Sequence, residues 1–200
     1  MASIGPQTMN EAPDNHRPQS VRLDRFDARE FDRGCSRITE ALWIICSGLF
    51  VSSGLPGSLI RVLILRAFGA RVAHGVVIKP HVRVKFPWRL SIGAHSWIGE
   101  DVWIDNLAQV SIGAQCCISQ AAYLCTGSHN WSKETFDLIT KPIVIEDGVW
   151  ICAKATVGPG VRVGEGAVLA LGSVATRDLA PWTRYSTLQV EAIKRRRKLS

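Results

Sequence analysis

From Val72 onward, large aliphatic residues return every sixth position. They fall at 72, 78 and 84, at 92, 98 and 104, at 112, 118 and 124, at 145, 151 and 157, then at 163 and 169. Four places after most of them stands a small or β-branched residue: Ser96, Val102, Ala108, Cys116, Ala122, Ser128, Val149, Ala155, Val161, Ala167 and Ser173. Glycine often takes the second place, as at Gly93, Gly99, Gly113, Gly158 and Gly164. A helix repeats every 3.6 residues and an exposed strand every two, so neither explains a period of six. A three-sided coil does. Each hexad supplies one short strand and a corner, about eighteen residues complete a turn, and turns stack at roughly 4.8 Å. The aliphatic points inward on every side, and the small residue turns inward where a corner leaves little room. Each coil exposes backbone edges above and below, so neighbours must stack to satisfy them. The pattern predicts a mainly β chain, a parallel β-helix prism over residues 70–180.

Two interruptions stand out. Val110 and Ser111 separate two hexads and predict a bulged corner. The stretch "NWSKETFDLITKPIV", 130–144, predicts a loop ejected from another corner, and long loops in a regular solenoid usually serve a site or an interface.

The N-terminal third has a different rhythm. Ile38, Leu42, Ile45 and Leu49 recur at helical spacing, Pro56 interrupts, and "GSLIRVLILRAFG" reads as a second helix closed by Gly69. Residues 36–69 are therefore a helical segment with two readings. It caps the prism, or it lies on a membrane surface with Arg61 and Arg66 facing lipid phosphates. Residues 41–55 are too short and too punctuated by serine and glycine for a membrane span. Residues 1–35 read as a flexible leader without the charged start and apolar run of a signal peptide, and 181–200 as a basic C-terminal tail.

Apolar residues make up 46% of the chain and charged ones 20%, which suits a globular domain rather than a disordered one. Of the net +7, "KRRRK" at 194–198 supplies five positive charges. Basic character is thus a tail property, favouring an anionic ligand or membrane surface near the C-terminus over a nucleic-acid partner. Cys35, Cys46, Cys116, Cys117, Cys125 and Cys152 show no CxxC spacing and read as free thiols of a reducing cytosol. A metal site would need three converging ligands. His95 and His129 occupy different places in the hexad and His74 and His81 lie in the first coil, so no metal is expected.

The stretches "PWRLSIGAHSWIGEDVWIDNL" (87–107), "CISQAAYLCTGSHNW" (117–131) and "KPIVIEDGVWICAKATVGPGV" (141–161) resemble the hexapeptide-repeat acyltransferases. More narrowly, residues 20–183 resemble the colanic-acid-biosynthesis-type acetyltransferases, relatives of the maltose and galactoside O-acetyltransferases. The resemblance implies a left-handed parallel β-helix and a homotrimer with acetyl-CoA in the groove between adjacent prisms. It also implies acetyl transfer to a sugar hydroxyl in exopolysaccharide biosynthesis. The acceptor would be a sugar or lipid-linked saccharide, met in the cytoplasm, with peripheral contact at the inner membrane face. Acetylation of a soluble sugar or small alcohol is a second reading, and a non-catalytic β-helix scaffold a third.

The resemblance places His129 as the catalytic residue. An alcohol needs a group to take its proton as it attacks a thioester, and imidazole is suited to that work near neutral pH. The alternative is a corner histidine bonded to loop backbone. Hexad counting puts Gln109, His129 and Arg162 at equivalent places, where a guanidinium would favour the neutral imidazole or bind a CoA phosphate. Asp105 and Asn106 fall where the family contacts acceptor hydroxyls, although Asp-Asn also builds turns. Trp97, Cys117, Trp150 and Val168 form an outward ladder suited to subunit contact. For acetyl-CoA the resemblance marks Trp150, Ala153, Gly172, Ser173, Thr176 and Arg177, the last as a phosphate partner. Leu171 stands where relatives have a small residue, and the Gly-Asn-Pro that relatives place after "APWT" is missing.

Overall fold

A computed structural model describes residues 20–29 and 31–187. The "KRRRK" run and the first half of the expected leader lie outside those residues.

Strands of two or three residues stack in parallel on three faces. The first face holds Arg71–Val72, Leu90–Ile92, Val110–Ile112, Ile143–Ile145 and Arg162–Val163. The second holds Val77–Ile78, Trp97–Ile98, Cys117–Ile118, Trp150–Ile151, Val168–Leu169 and Arg184–Tyr185. The third holds Arg83–Val84, Trp103–Asp105, Tyr123–Cys125, Thr156–Val157 and Val174–Ala175. Register brings the six-residue aliphatics into ladders, such as Ile78, Ile98, Ile118, Ile151 and Leu169 on the second face. All fourteen aliphatics named above, from Val72 to Leu169, are buried in one continuous core.

Two of the three corners are regular. At the first, Gly75, His95, Gln115, Gly148 and Gly166 take left-handed backbone; at the second, His81, Asp101, Ala121, Lys154 and Gly172 do. A single left-handed residue reverses the chain sharply enough to start the next face. Gly93 has a separate reason to be glycine: a Cβ there would collide with the Gly113–Ala114 backbone of the next coil.

The third corner departs from the expected grid. Val72 to Ile92 and Ile92 to Ile112 each span twenty positions, against eighteen from Ile145 to Val163. The extra residues go to this corner, where Phe86, Asn106 and Thr126 turn inward and are buried. Ala108 and Ser128, expected inside, are half-buried and exposed respectively. The ejected segment also differs from 130–144. It is an antiparallel hairpin of Gly127–His129 with Leu138–Thr140, and Ile143 is already back in the core.

Before the prism come helices α1 (Arg37–Cys46) and α2 (Ser58–Ala67), joined through a π-turn at Ser47–Val51. Ser36 starts α1 by accepting the Thr39 N–H. Trp43, Val51, Val62 and Leu65 join the core, and Trp43 Nε1–H donates to the Val84 and Lys85 carbonyls. Neither arginine expected to face lipid is free to do so. Arg61 is buried and donates to the carbonyls of Val51, Ser53, Leu55 and Gly57, while Arg66 donates to those of Val72 and Ala73. Part of the expected flexible leader is held in place: the Arg22 N–H donates to the Glu134 carbonyl, and Arg25 pairs with the Glu134 carboxylate at 3.0 Å. No helix among the described residues is long and apolar enough to cross a membrane.

Candidate active site

His129 ends the first strand of the hairpin, opposite Leu138. Its Nδ1 lies 2.8 Å from the Phe136 carbonyl oxygen. A carbonyl only accepts, so Nδ1 carries the hydrogen and, in the neutral ring, Nε2 keeps its lone pair. The Phe136 ring stacks on the imidazole at 4.3 Å and 3°, and Phe26 meets it edge-on at 5.4 Å. A carbonyl and two aromatic rings therefore fix the imidazole in position and tautomer.

Beside the hairpin opens a cleft of about 530 Å³, lined by Asp27, Ala28, Phe31, Asp32, Arg89, Asp137, Leu138 and Thr140. The hydrogen bond from Thr135, then that from Lys133, hold the Asp137 carboxyl below its ordinary range; the Arg29 side chain does the same for Asp27. Both are ionised at neutral pH. Arg89 donates to the Leu107 and Asp32 carbonyls. Carboxylate acceptors beside a guanidinium donor suit a ligand rich in hydroxyls.

Asp105 points outward from the third face. Tyr123 Oη–H donates to its Oδ2 at 3.1 Å, and Lys85 Nζ lies 3.5 Å from its Oδ1, which is buried without a hydrogen-bond partner among the described residues. Burial, and then the neighbouring Cys125 and Asp105, push the Tyr123 phenol well up, so it stays a donor. Trp103 lies between the Tyr123 ring at 4.7 Å and the Arg83 guanidinium at 4.5 Å.

Asn106, expected to meet the acceptor, has no surface to offer. It is fully buried; its Oδ1 accepts the Phe86 N–H, and its Nδ2 donates to the carbonyls of Phe86 and Arg89. Twenty-residue coils bring Asn106 inside the irregular corner, and its amide closes the turn beneath it. Arg162 likewise pairs with Glu146 and stands in register with Val144, on the first face.

The donor-side residues do not share one cleft. Trp97, Cys117, Trp150 and Val168 stand in one column on the second face, with Trp97 58% and Trp150 49% exposed. Ala153 and Gly172 stack at the second corner, where the Gly172 N–H donates to the Ala153 carbonyl. Ser173 is buried: its Oγ accepts the Thr187 N–H and its carbonyl the Thr156 N–H, so its polar groups are used internally. Thr176 and Arg177 are exposed at the third corner, two coils beyond His129, and Leu171 is exposed at the second. In a three-sided column the second face lies opposite the third corner. Trp150 and His129 of one chain therefore cannot line the same groove. No three metal-ligating side chains converge among the described residues.

Phe26, Phe136 and the cleft beside them were missed by the repeat. Apart from Arg89, all lie outside the hexads, and the available signal was the recurrence of Leu23, Phe26 and Phe31 in an otherwise polar segment.

No family model matches the chain. It is 36% identical over 158 residues to the putative colanic acid biosynthesis acetyltransferase WcaF of Escherichia coli K12, covering 78% of this chain and 87% of that protein. It is 26% identical over 124 residues to the galactoside O-acetyltransferase of the same strain, covering 60% and 61%. A solved structure of a hexapeptide-repeat-containing acetyltransferase from Vibrio cholerae, complexed with acetyl coenzyme A, superposes with a TM-score of 0.67. Its identity is 29%, with 80% of this chain and 90% of that one covered. A galactoside acetyltransferase in complex with coenzyme A gives 0.65 at 20% identity over 74% and 75%, a likeness of fold.

Proposed function

Since the chain belongs to the hexapeptide-repeat acetyltransferases of the colanic-acid-biosynthesis type, we propose that it moves an acetyl group from acetyl-CoA to a sugar hydroxyl during exopolysaccharide assembly, with His129 as general base. The observation that carries this is the Nδ1 contact with the Phe136 carbonyl, which leaves Nε2 to receive a proton. As the acceptor oxygen attacks the thioester carbonyl, its proton passes to Nε2. The tetrahedral adduct then expels the thiolate, which regains that proton to give free CoA and a sugar ester. A positioned base is worth about 10²- to 10⁴-fold in rate.

The acceptor would lie in the cleft beside the hairpin, with Asp105 as a further contact. For the donor, we assign Trp150, Ala153, Gly172, Thr176 and Arg177, with Ser173 acting only through the corner it builds. Because Trp150 faces away from the His129 edge, a complete site needs the second face of a neighbouring copy. A cyclic homotrimer supplies one such neighbour to each chain. Acetyl-CoA and the sugar meet in the cytoplasm on this reading. Titration calorimetry with acetyl-CoA tests the donor half: saturable binding, weakened by Trp150→Ala, is the expected result. No detectable heat would instead favour a non-catalytic scaffold.

A further inference from the structure

Between Ala41 and Gly99 the chain has no aspartate or glutamate, while seven arginines and lysines fall there. This carboxylate-free stretch comprises most of α1, the π-turn, α2 and the first coil, together forming one end of the column. Inward, the helices give up Trp43, Val51, Val62 and Leu65 to the core. Outward, they leave Leu42, Ile45, Leu49, Leu59, Ile60 and Leu63 each between 52% and 68% exposed. No charge interrupts that apolar face, because Arg61 turns inside to hold four carbonyls. Arg37, Arg71 and Lys79 are exposed around it, and Glu40, at its edge, is paired with Arg33.

We propose that this end of the molecule seats on the surface of an anionic lipid bilayer. An apolar helix pair too short to cross a membrane, with cations at its margin, has the composition of an element that lies in the interface plane. Anionic headgroups would meet the arginines and lysine while the aliphatic side chains enter the acyl boundary. A second copy is a poorer occupant, since it would set one net cationic end against another. The proposal is independent of the acyl-transfer chemistry, which lies at the third corner and on the second face.

The test is flotation of the full chain with vesicles of phosphatidylcholine alone or mixed with phosphatidylglycerol, alongside the variant Leu42→Glu/Leu49→Glu/Leu59→Glu. All three positions are exposed, and circular dichroism with sedimentation velocity checks fold and mass. The wild type is expected to float with anionic vesicles and several-fold less with neutral ones, and the variant to lose about tenfold or more of that binding at unchanged mass. Failure of the wild type to float, or equal flotation by the variant, would overturn the proposal. A variant of lower assembled mass would do so too, by showing that the face joins two copies.

Discussion

Phe136 holds a left-handed backbone, φ 50°, while its carbonyl accepts from His129 Nδ1 at 2.8 Å and its ring stacks on the same imidazole. A bulky aromatic in that region is strained by roughly 1–3 kcal/mol, an outlay typical of functional sites. The carbonyl that this turn presents fixes which imidazole nitrogen bears hydrogen. Long-range ¹⁵N–¹H correlation spectra above the histidine titration should show the Nδ1–H tautomer for His129. An Nε2–H tautomer would contradict the assignment of the base.

Phe136→Gly separates strain from positioning. Glycine relieves the left-handed penalty, while loss of the ring removes a stacking contact worth about 0.5–1.5 kcal/mol. These nearly cancel, so the thermal midpoint should move by only a few degrees. The turnover number should fall by about tenfold as the imidazole loosens. A large drop in melting temperature with full activity would assign Phe136 to stability alone.

Phe26 and Arg25 carry the N-terminal segment onto the hairpin. The exposed Arg25–Glu134 pair is worth at most about 1 kcal/mol, so Phe26 should matter more. Phe26→Ala should lower kcat/KM several-fold and Arg25→Ala hardly at all, measured with the same acceptor. Equal effects would place the anchor in the ion pair instead.

Asn106 offers a sharper separation between architecture and binding. Asn106→Ala leaves the Phe86 N–H and the Arg89 carbonyl without the amide that pairs them, while the Phe86 carbonyl keeps the Arg89 N–H, at a cost of about 1–3 kcal/mol for each group left unpaired. Denaturant melts should show that loss, while the acceptor KM of the remaining folded enzyme stays within about twofold. A raised acceptor KM at unchanged stability would restore Asn106 to the binding site.

The hexad rhythm disclosed the prism because the same inward aliphatic is required on every face of every coil. The ladder from Trp97 to Val168 followed from counting, since the second face has no insertions. Counting failed at the third corner, where twenty-residue coils shift the register and bury Asn106 and Thr126 in place of Ala108 and Ser128. That corner also holds His129. Its residues answer to the hairpin and the N-terminal segment rather than to the repeat, so no period reveals Phe26, Phe136 or the carboxylates of the cleft. The direction of Arg61 was also hidden: spacing cannot distinguish a guanidinium facing solvent from one holding backbone carbonyls.

The Cys116 thiol is buried and donates to the Glu146 carbonyl at 2.9 Å; burial pushes its pKa above the ordinary 9.0. A thiol whose folded pKa exceeds its unfolded one contributes stability that is complete below the unfolded value and is lost as pH rises toward the folded one. Burial also raises Cys152. From about pH 8 to about pH 10 the wild-type melting temperature should therefore fall more than that of Cys116→Ala. Parallel slopes would mean that Cys116 ionises in the folded chain as easily as in the unfolded one.

Proton transfer at His129 is tested most directly by acetyl-CoA cleavage coupled to ester formation on a panel of sugar acceptors, comparing wild type with His129→Ala. The expected result is acceptor-dependent thiol release by the wild type, with kcat reduced at least about a hundredfold in the variant while acetyl-CoA binding persists. A His129→Ala enzyme that esterifies the same sugar at the wild-type rate would contradict it.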